Sequence, residues 1–132
     1  MADDPHVTAA LGLLTAGIPQ PAYDGKVPDP VPEPPWLLLY ATVRYVRHDR
    51  LPRRSQRAVV RLYCHCVGGS ASAARKVAVA ARGVLLDVKP TVEGRNCDRI
   101  EQEDSQPPRP DEALGPMFMD QVDVYRFDSE PA

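Results

Sequence analysis

The chain has 132 residues, 43% of them hydrophobic, a formal net charge of −2 and three cysteines. That length suits one domain able to bury a core without metals or disulfide staples, and an odd cysteine count argues against a disulfide framework. The near-neutral charge excludes the overall basic excess of a dedicated nucleic-acid binder; no apolar run reaches the roughly 18 residues of a membrane span, and MADDPH has acids where a secretory leader needs a basic start. Neither membrane insertion nor secretion is expected, and the cysteines are expected to be reduced.

Asp4 followed by Pro5 is a helix-start pair, since aspartate accepts from free N–H groups and proline is tolerated in the first turn. Val7, Ala10, Leu11 and Leu14 then form an apolar stripe, so a helix is predicted over 5–16, stopped by Gly17. Residues 18–35 carry prolines at 19, 21, 28, 30, 32, 34 and 35, which rule out a helix or a central strand. This segment is read as an extended arm, either a surface connection or a strap lying across a neighbouring subunit.

WLLLYATVRYVR, from Trp36 to Arg47, predicts a strand with Leu37, Leu39, Ala41, Val43 and Tyr45 on one face. A second strand starts at Arg57, where Ala58, Val60, Leu62, Cys64 and Cys66 alternate with Val59, Arg61, Tyr63, His65 and Val67. HDRLPRRSQ between them predicts an antiparallel hairpin with a long polar tip. The faces bearing Trp36, Leu38, Tyr40, Val59, Tyr63 and Val67 are too apolar to be left wet, so other chain or another subunit should cover them.

Arg44, Arg47, Arg50, Arg53, Arg54 and Arg57 face a single acid, Asp49, in this stretch. A solvated loop, charge pairing across a subunit interface and contact with nucleic acid are all open; no aromatic lies between Tyr45 and Tyr63 to stack on bases, which favours the interface over nucleic acid. After Gly68 and Gly69, Ser70 is a fitting N-cap, and Ala74, Val77, Ala78, Ala81, Val84 and Leu85 share one helical stripe that ends before Pro90. A weak edge strand is predicted over 96–104. Glu101, Glu103, Asp104, Asp111 and Glu112 lie in an acidic segment of opposite sign to the arginine tip, which could meet the tip within one chain or across a head-to-tail ring. MFMDQVDVYRF reads as a last strand ending at Phe127, its alternation imperfect as a bulge would make it, and 128–132 as a flexible tail.

The expectation from the residues is a single domain with four strands between 36 and 127, two of them an antiparallel hairpin, and an N-terminal and a central helix. Its predicted interface set is Trp36, Leu38, Tyr40, Arg44, Arg47, Arg50, Arg53, Arg54, Arg61, Tyr63, Glu101, Glu103, Asp104, Asp111 and Glu112. Catalytic, cofactor and metal residues are not expected. On a strand Cys64 and Cys66 point one way and His65 the other, so the triplet cannot converge on one ion, and VGGSASAARK lacks the spacing of a phosphate-binding loop. The histidines at 6, 48 and 65 show no pairing with a nucleophile.

The order of parts, a short helix, YDGKVPDP, PPWLLLYATV, then VVRLYCHCVGGSASAARKVAVAARGVLL and an acidic connection ending in MFMDQVDVYRF, resembles the tail terminator proteins of long-tailed bacteriophages over roughly residues 7–127. The resemblance implies an α+β fold, with the four strands in a mostly antiparallel sheet and the N-terminal and central helices packed on one face, in a non-enzymatic virion protein assembled as a homohexameric ring on the finished tail tube at the head–tail junction. Its implied partners are the tail tube protein and head-completion proteins, with DNA passing through the lumen. The proline-dense arm and the arginine-rich hairpin depart from the family pattern. Another head–tail connector, or a small nucleic-acid-binding module, is the alternative.

Overall fold

The computed structural model describes residues 4–46, 56–113 and 118–132. The elements run α1 (Pro5–Gly17), β1 (Ala22–Asp24), β2 (Trp36–Val46), β3 (Arg57–Gly68), α2 (Ala71–Leu85), β4 (Arg95–Cys97), β5 (Glu101–Ser105), β6 (Arg109–Pro110) and β7 (Met119–Pro131). Both helices start where their caps dictate. The Asp4 side chain accepts from the His6 N–H and Pro5 occupies the first turn of α1, while the Ser70 hydroxyl accepts from the Ala73 N–H at the start of α2.

The sheet is seven-stranded and mixed, not the four-stranded, mostly antiparallel sheet expected from the sequence. Its order is β1-β2-β3-β7-β4, with β5 and β6 also paired to β7. β2 and β3 form the antiparallel hairpin, Val46 opposite Arg57 and Trp36 opposite Val67, and β7 lies antiparallel on the other side of β3. Three differences account for the correction. Inside the proline segment, Ala22–Asp24 pairs parallel to β2, because this proline-free triplet lets the Leu37 N–H reach Pro21 O and the Gly25 N–H reach Leu39 O. The strand expected over 96–104 is divided into β4 and β5, since Ile100 turns inward, fully buried, with its N–H on Val88 O. β4, β5 and the two-residue β6 then pair one after another along the same edge of β7.

The last strand also continues past Phe127. Residues 128–131, expected to be a flexible tail, are strand, with Ser129 opposite both Ala58 and Cys97 and Pro131 opposite Arg95.

One face of the sheet carries the core. Leu37, Leu39, Val60, Leu62, Cys64, Cys66, Tyr125 and Phe127 meet Ala10 and Leu14 of α1 and Val77, Ala81 and Leu85 of α2. Each fully buried leucine of this set contributes roughly 1.5–3 kcal/mol through removal of apolar surface from water. The glycine turn serves this packing. A Cβ on Gly68 would overlap the Ala74 nitrogen and lie 2.6 Å from the Ala73 carbonyl carbon, so the strand end can approach the start of α2 only without a side chain. Those neighbours are backbone and cannot move aside, and Gly68→Ala is therefore expected to cost about 1–3 kcal/mol in urea unfolding. A change within about 0.5 kcal/mol, the range of an ordinary surface substitution, would show that the turn has slack.

Candidate interface on the open sheet face

The opposite face of the sheet has no helix on it among the described residues, and its composition changes along the strands. At one end the chain covers itself. Trp36 is only 1% exposed, its indole N–H donating to Pro32 O at 3.1 Å, with the Tyr23 and Phe118 rings centred 6.3 and 6.4 Å away. The proline segment thus forms part of the fold, and Trp36 lies under it together with buried Val67.

In the middle of the face two cross-strand rows are apolar. Leu38, His65 and Val122 lie side by side, and next to them Tyr40, Tyr63 and Val124. Tyr40 is 45% exposed; Leu38, Tyr63, Val122 and Val124 are half-buried. The Tyr40 ring stands edge-on to His65 at 5.3 Å, and His65 Nδ1 lies 2.9 Å from Asp120 Oδ2. The valines were not in the predicted set because the irregular alternation of MFMDQVDV hid the face they occupy.

Beyond these rows the face becomes charged. Arg61 is directly opposite Arg126, a repulsive pairing that acids on both sides offset. Glu103 Oε1 accepts from Arg61 Nε at 2.9 Å. Asp128 accepts from Arg57 Nη2 at 2.6 Å and from Arg126 Nε at 3.0 Å, and Arg57 Nη1 also donates to Glu130 at 3.1 Å. Arginines and acids of opposite segments therefore do meet inside one chain. Arg44 is exposed and without an ion pair among the described residues. Glu101, Asp104 and Glu112 are exposed along the β5–β6 edge, and Asp111 is half-buried, its carboxylate accepting from the Ala113 N–H. Arg47, Arg50, Arg53 and Arg54 lie outside the described residues.

Potential chemistry elsewhere is sealed. Cys64 and Cys66 point into the core and His65 to the open face, and among the described residues no cluster of three or more His, Cys, Asp or Glu could hold a metal ion. Burial, with the charge of Asp123 nearby, pushes the Cys64 thiol up to about 12; burial likewise raises Cys66, with added repulsion from Cys64 and the acids. Neither is a nucleophile at neutral pH.

One constellation was not visible in the sequence. His6 Nδ1 is 2.6 Å from Asp4 Oδ1 and His6 Nε2 is 2.7 Å from Ser129 Oγ, the order of a hydrolytic triad. His6 is fully buried and Ser129 is 1% exposed. The serine oxygen also accepts from Arg95 Nε at 2.7 Å, and its burial leaves no path for substrate. Tyr45 completes the group by donating to Asp4 Oδ2 at 2.6 Å. This is a clamp between the start of α1 and the end of β7. His6 and Ser129 are 123 positions apart, and no local pattern pairs them.

No family model and no curated protein matches the sequence. Among solved structures, the chain is similar to a chain from the virion of a native gene transfer agent particle. The TM-score is 0.71 at 16% identity, over 93% of this chain and 92% of that one. It is also similar to a second solved chain that carries no functional description, with a TM-score of 0.61 at 15% identity over 98% and 96% of the two chains. At these identities the likeness is one of fold.

Asp128 sets an acid limit on the charged end of the face. Burial acts to raise its carboxyl, but the hydrogen bonds and charges of Arg126 and Arg57 outweigh it, leaving the group below its ordinary 3.8. A carboxyl lowered by folding contributes stability in full above that ordinary value and loses it as pH falls through the folded one. Urea unfolding is thus expected to weaken below about pH 4, and Asp128→Asn should lower neutral-pH stability by about 1–3 kcal/mol while flattening the acid decline. An unchanged pH profile in that variant would assign the acid sensitivity to other carboxyls, Asp4 first, which the hydrogen bonds of Tyr45 and His6 hold low against burial.

Proposed function

We propose that the chain is a structural, non-enzymatic virion protein that closes the tail tube as a ring and joins the tail to the head-completion proteins. The observation that carries this reading is the fold likeness, end to end in both chains, to a chain of a gene transfer agent virion. The open sheet face supports it. A soluble chain gains nothing from a tyrosine and valine patch edged by ion pairs, whereas an assembling subunit can bury it. The interface set Leu38, Tyr40, Arg44, Arg61, Tyr63 and the β5 acids falls on or beside that face, while Trp36 is held under the chain's own proline segment.

In this reading the partners are further copies of the chain, the tube protein below and the connector above, with DNA crossing the lumen. A second position in the neck of the particle uses the same surfaces and differs only in what is stacked on it. A nucleic-acid-binding role is less well supported at the charged end of the open face, where Arg57, Arg61 and Arg126 are each satisfied by acids of their own chain, so freeing them for phosphates would strand those acids.

Particles assembled without this chain are expected to show tails of uncontrolled length that fail to join heads, scored as tail-length distributions in electron micrographs. Uniform tails on filled heads would sink the proposal. Tyr63→Glu tests the face itself. Self-association measured by light scattering should weaken at least about tenfold. The urea midpoint should move little, because the side chain is half-exposed; a variant that unfolds instead would make this face part of the core.

A further inference from the structure

The two broad faces of the molecule are unlike, and each offers what the other lacks. α2 turns outward Arg75, Lys76, Val79 and Arg82, all exposed. No acid occurs between Ser70 and Asp87, and none of these cations has an ion-pair partner among the described residues. Val79 is 71% exposed, the most exposed large apolar residue among those described. Its neighbours on the helix surface, three and four positions away, are Lys76, Arg82 and Arg75, so an apolar knob stands in a basic ring.

The isolated chain gains little from them: a β-branched side chain at a solvent position weakens a helix relative to alanine, and of the three cations only Arg82, in the last turn, favours the helix dipole. The open sheet face is the complement. Its centre is Tyr40, Tyr63 and Val124, and the β5 edge beside it carries Glu101 and Asp104, exposed and without ion pairs among the described residues.

Building on the reading of the chain as a self-assembling ring component, we propose that the outer face of α2 in one copy docks on the open sheet face of the next. Val79 sits over Tyr63 and Val124, and Arg75 and Arg82 meet Glu101 and Asp104. β5 lies two strands from β3, about 10 Å. Arg75 and Arg82 lie about 5 Å to either side of Val79 along the helix and on the same flank of it, so with the helix axis along the strands both face β5, and their own side chains span the rest. Because the two surfaces are different and lie on opposite sides of one subunit, the contact is head-to-tail, the kind that generates a ring when the rotation closes.

The test uses the full chain with Cys97→Ala, which leaves only the buried cysteines. Val79→Cys and Tyr40→Cys variants are mixed and treated with a short bismaleimide. Val79-to-Tyr40 heterodimers are expected, with few homodimers of either variant, and a chain bearing both substitutions should give a ladder of multimers. In light scattering, Arg75→Glu with Arg82→Glu should weaken association at least about tenfold, and adding Glu101→Arg and Asp104→Arg to the same chain should restore it.

Predominant Val79-to-Val79 products would overturn the head-to-tail contact in favour of a symmetric one. Multimers that form without the mixed product would overturn this packing and leave the ring reading standing, whereas a ring packed as described but absent from the head–tail junction of particles would overturn only that reading. Salt-dependent DNA binding lost in the double glutamate variant, with association intact, would reassign the basic face to a polyanion.

Discussion

The pairing of β7 with β3 is the contact on which the rest of the structure depends. Like β3, β7 is bonded along both edges, to β3 on one side and to β4, β5 and β6 in succession on the other, so it alone joins the hairpin to the C-terminal edge strands. Its side chains supply both faces: Tyr125 and Phe127 are buried against the helices, while Val122, Val124 and Arg126 complete the open side. A slip of one residue in this register would exchange the two sets, placing Arg126 in the core and Phe127 in water. Register is fixed at the C-terminal end of the strand on both faces, by Ser129 in the His6 clamp on the core side and by Asp128 between Arg57 and Arg126 on the open side.

The clamp illustrates how polar groups can specify a fold that apolar patterning leaves ambiguous. With Nδ1 of His6 donating to Asp4 and Nε2 accepting from Ser129, every strong donor and acceptor on the imidazole is used, and the serine oxygen accepts in turn from Arg95. The Arg95 guanidinium also lies 5.8 Å from the centre of the Tyr45 ring and donates to Gln56 O. The start of α1, the base of the hairpin, β4 and the end of β7 are thus held by one network. A network in which every member is satisfied fixes a single arrangement, where a half-satisfied one would cost more than an apolar core.

Much of the architecture was legible because it is local. The alternation from Ala58 to Cys66, the Asp4 and Ser70 caps, the hairpin and the α2 stripe each follow from residues a few positions apart, and each is present. The missed features depend on distant partners. Asn96 and Glu101 extend along β7 only because that edge is there to receive them, and the Asp128–Pro131 segment is strand because β3 and β4 flank it, although DSEP has poor strand propensity. The make-up of the open face was only partly legible. Leu38, Tyr40, Tyr63 and Arg61 share the open face as alternation implies, but Trp36 follows the same parity and is covered by prolines whose path the sequence did not disclose.

The edges of the sheet explain why association should use faces. β1 is three residues long and set between Pro21 and Pro28, β5 is interrupted by a register shift between Gln102 and Asp104, and β6 ends in Pro110. Short strands, bulges and prolines are the devices by which sheets refuse another strand. The outer side of β2 from Tyr40 to Val46 is the exception, with no strand paired to it among the described residues, yet it carries the exposed Arg44 and leads into the arginine-rich stretch after it. Positive charge along an edge discourages pairing with an identical copy. With edge-to-edge addition disfavoured in this way, the proposed ring has the apolar rows of the open face and the exposed side of α2 for its contacts. They differ in charge and shape, and a contact between unlike surfaces propagates in one direction around an axis.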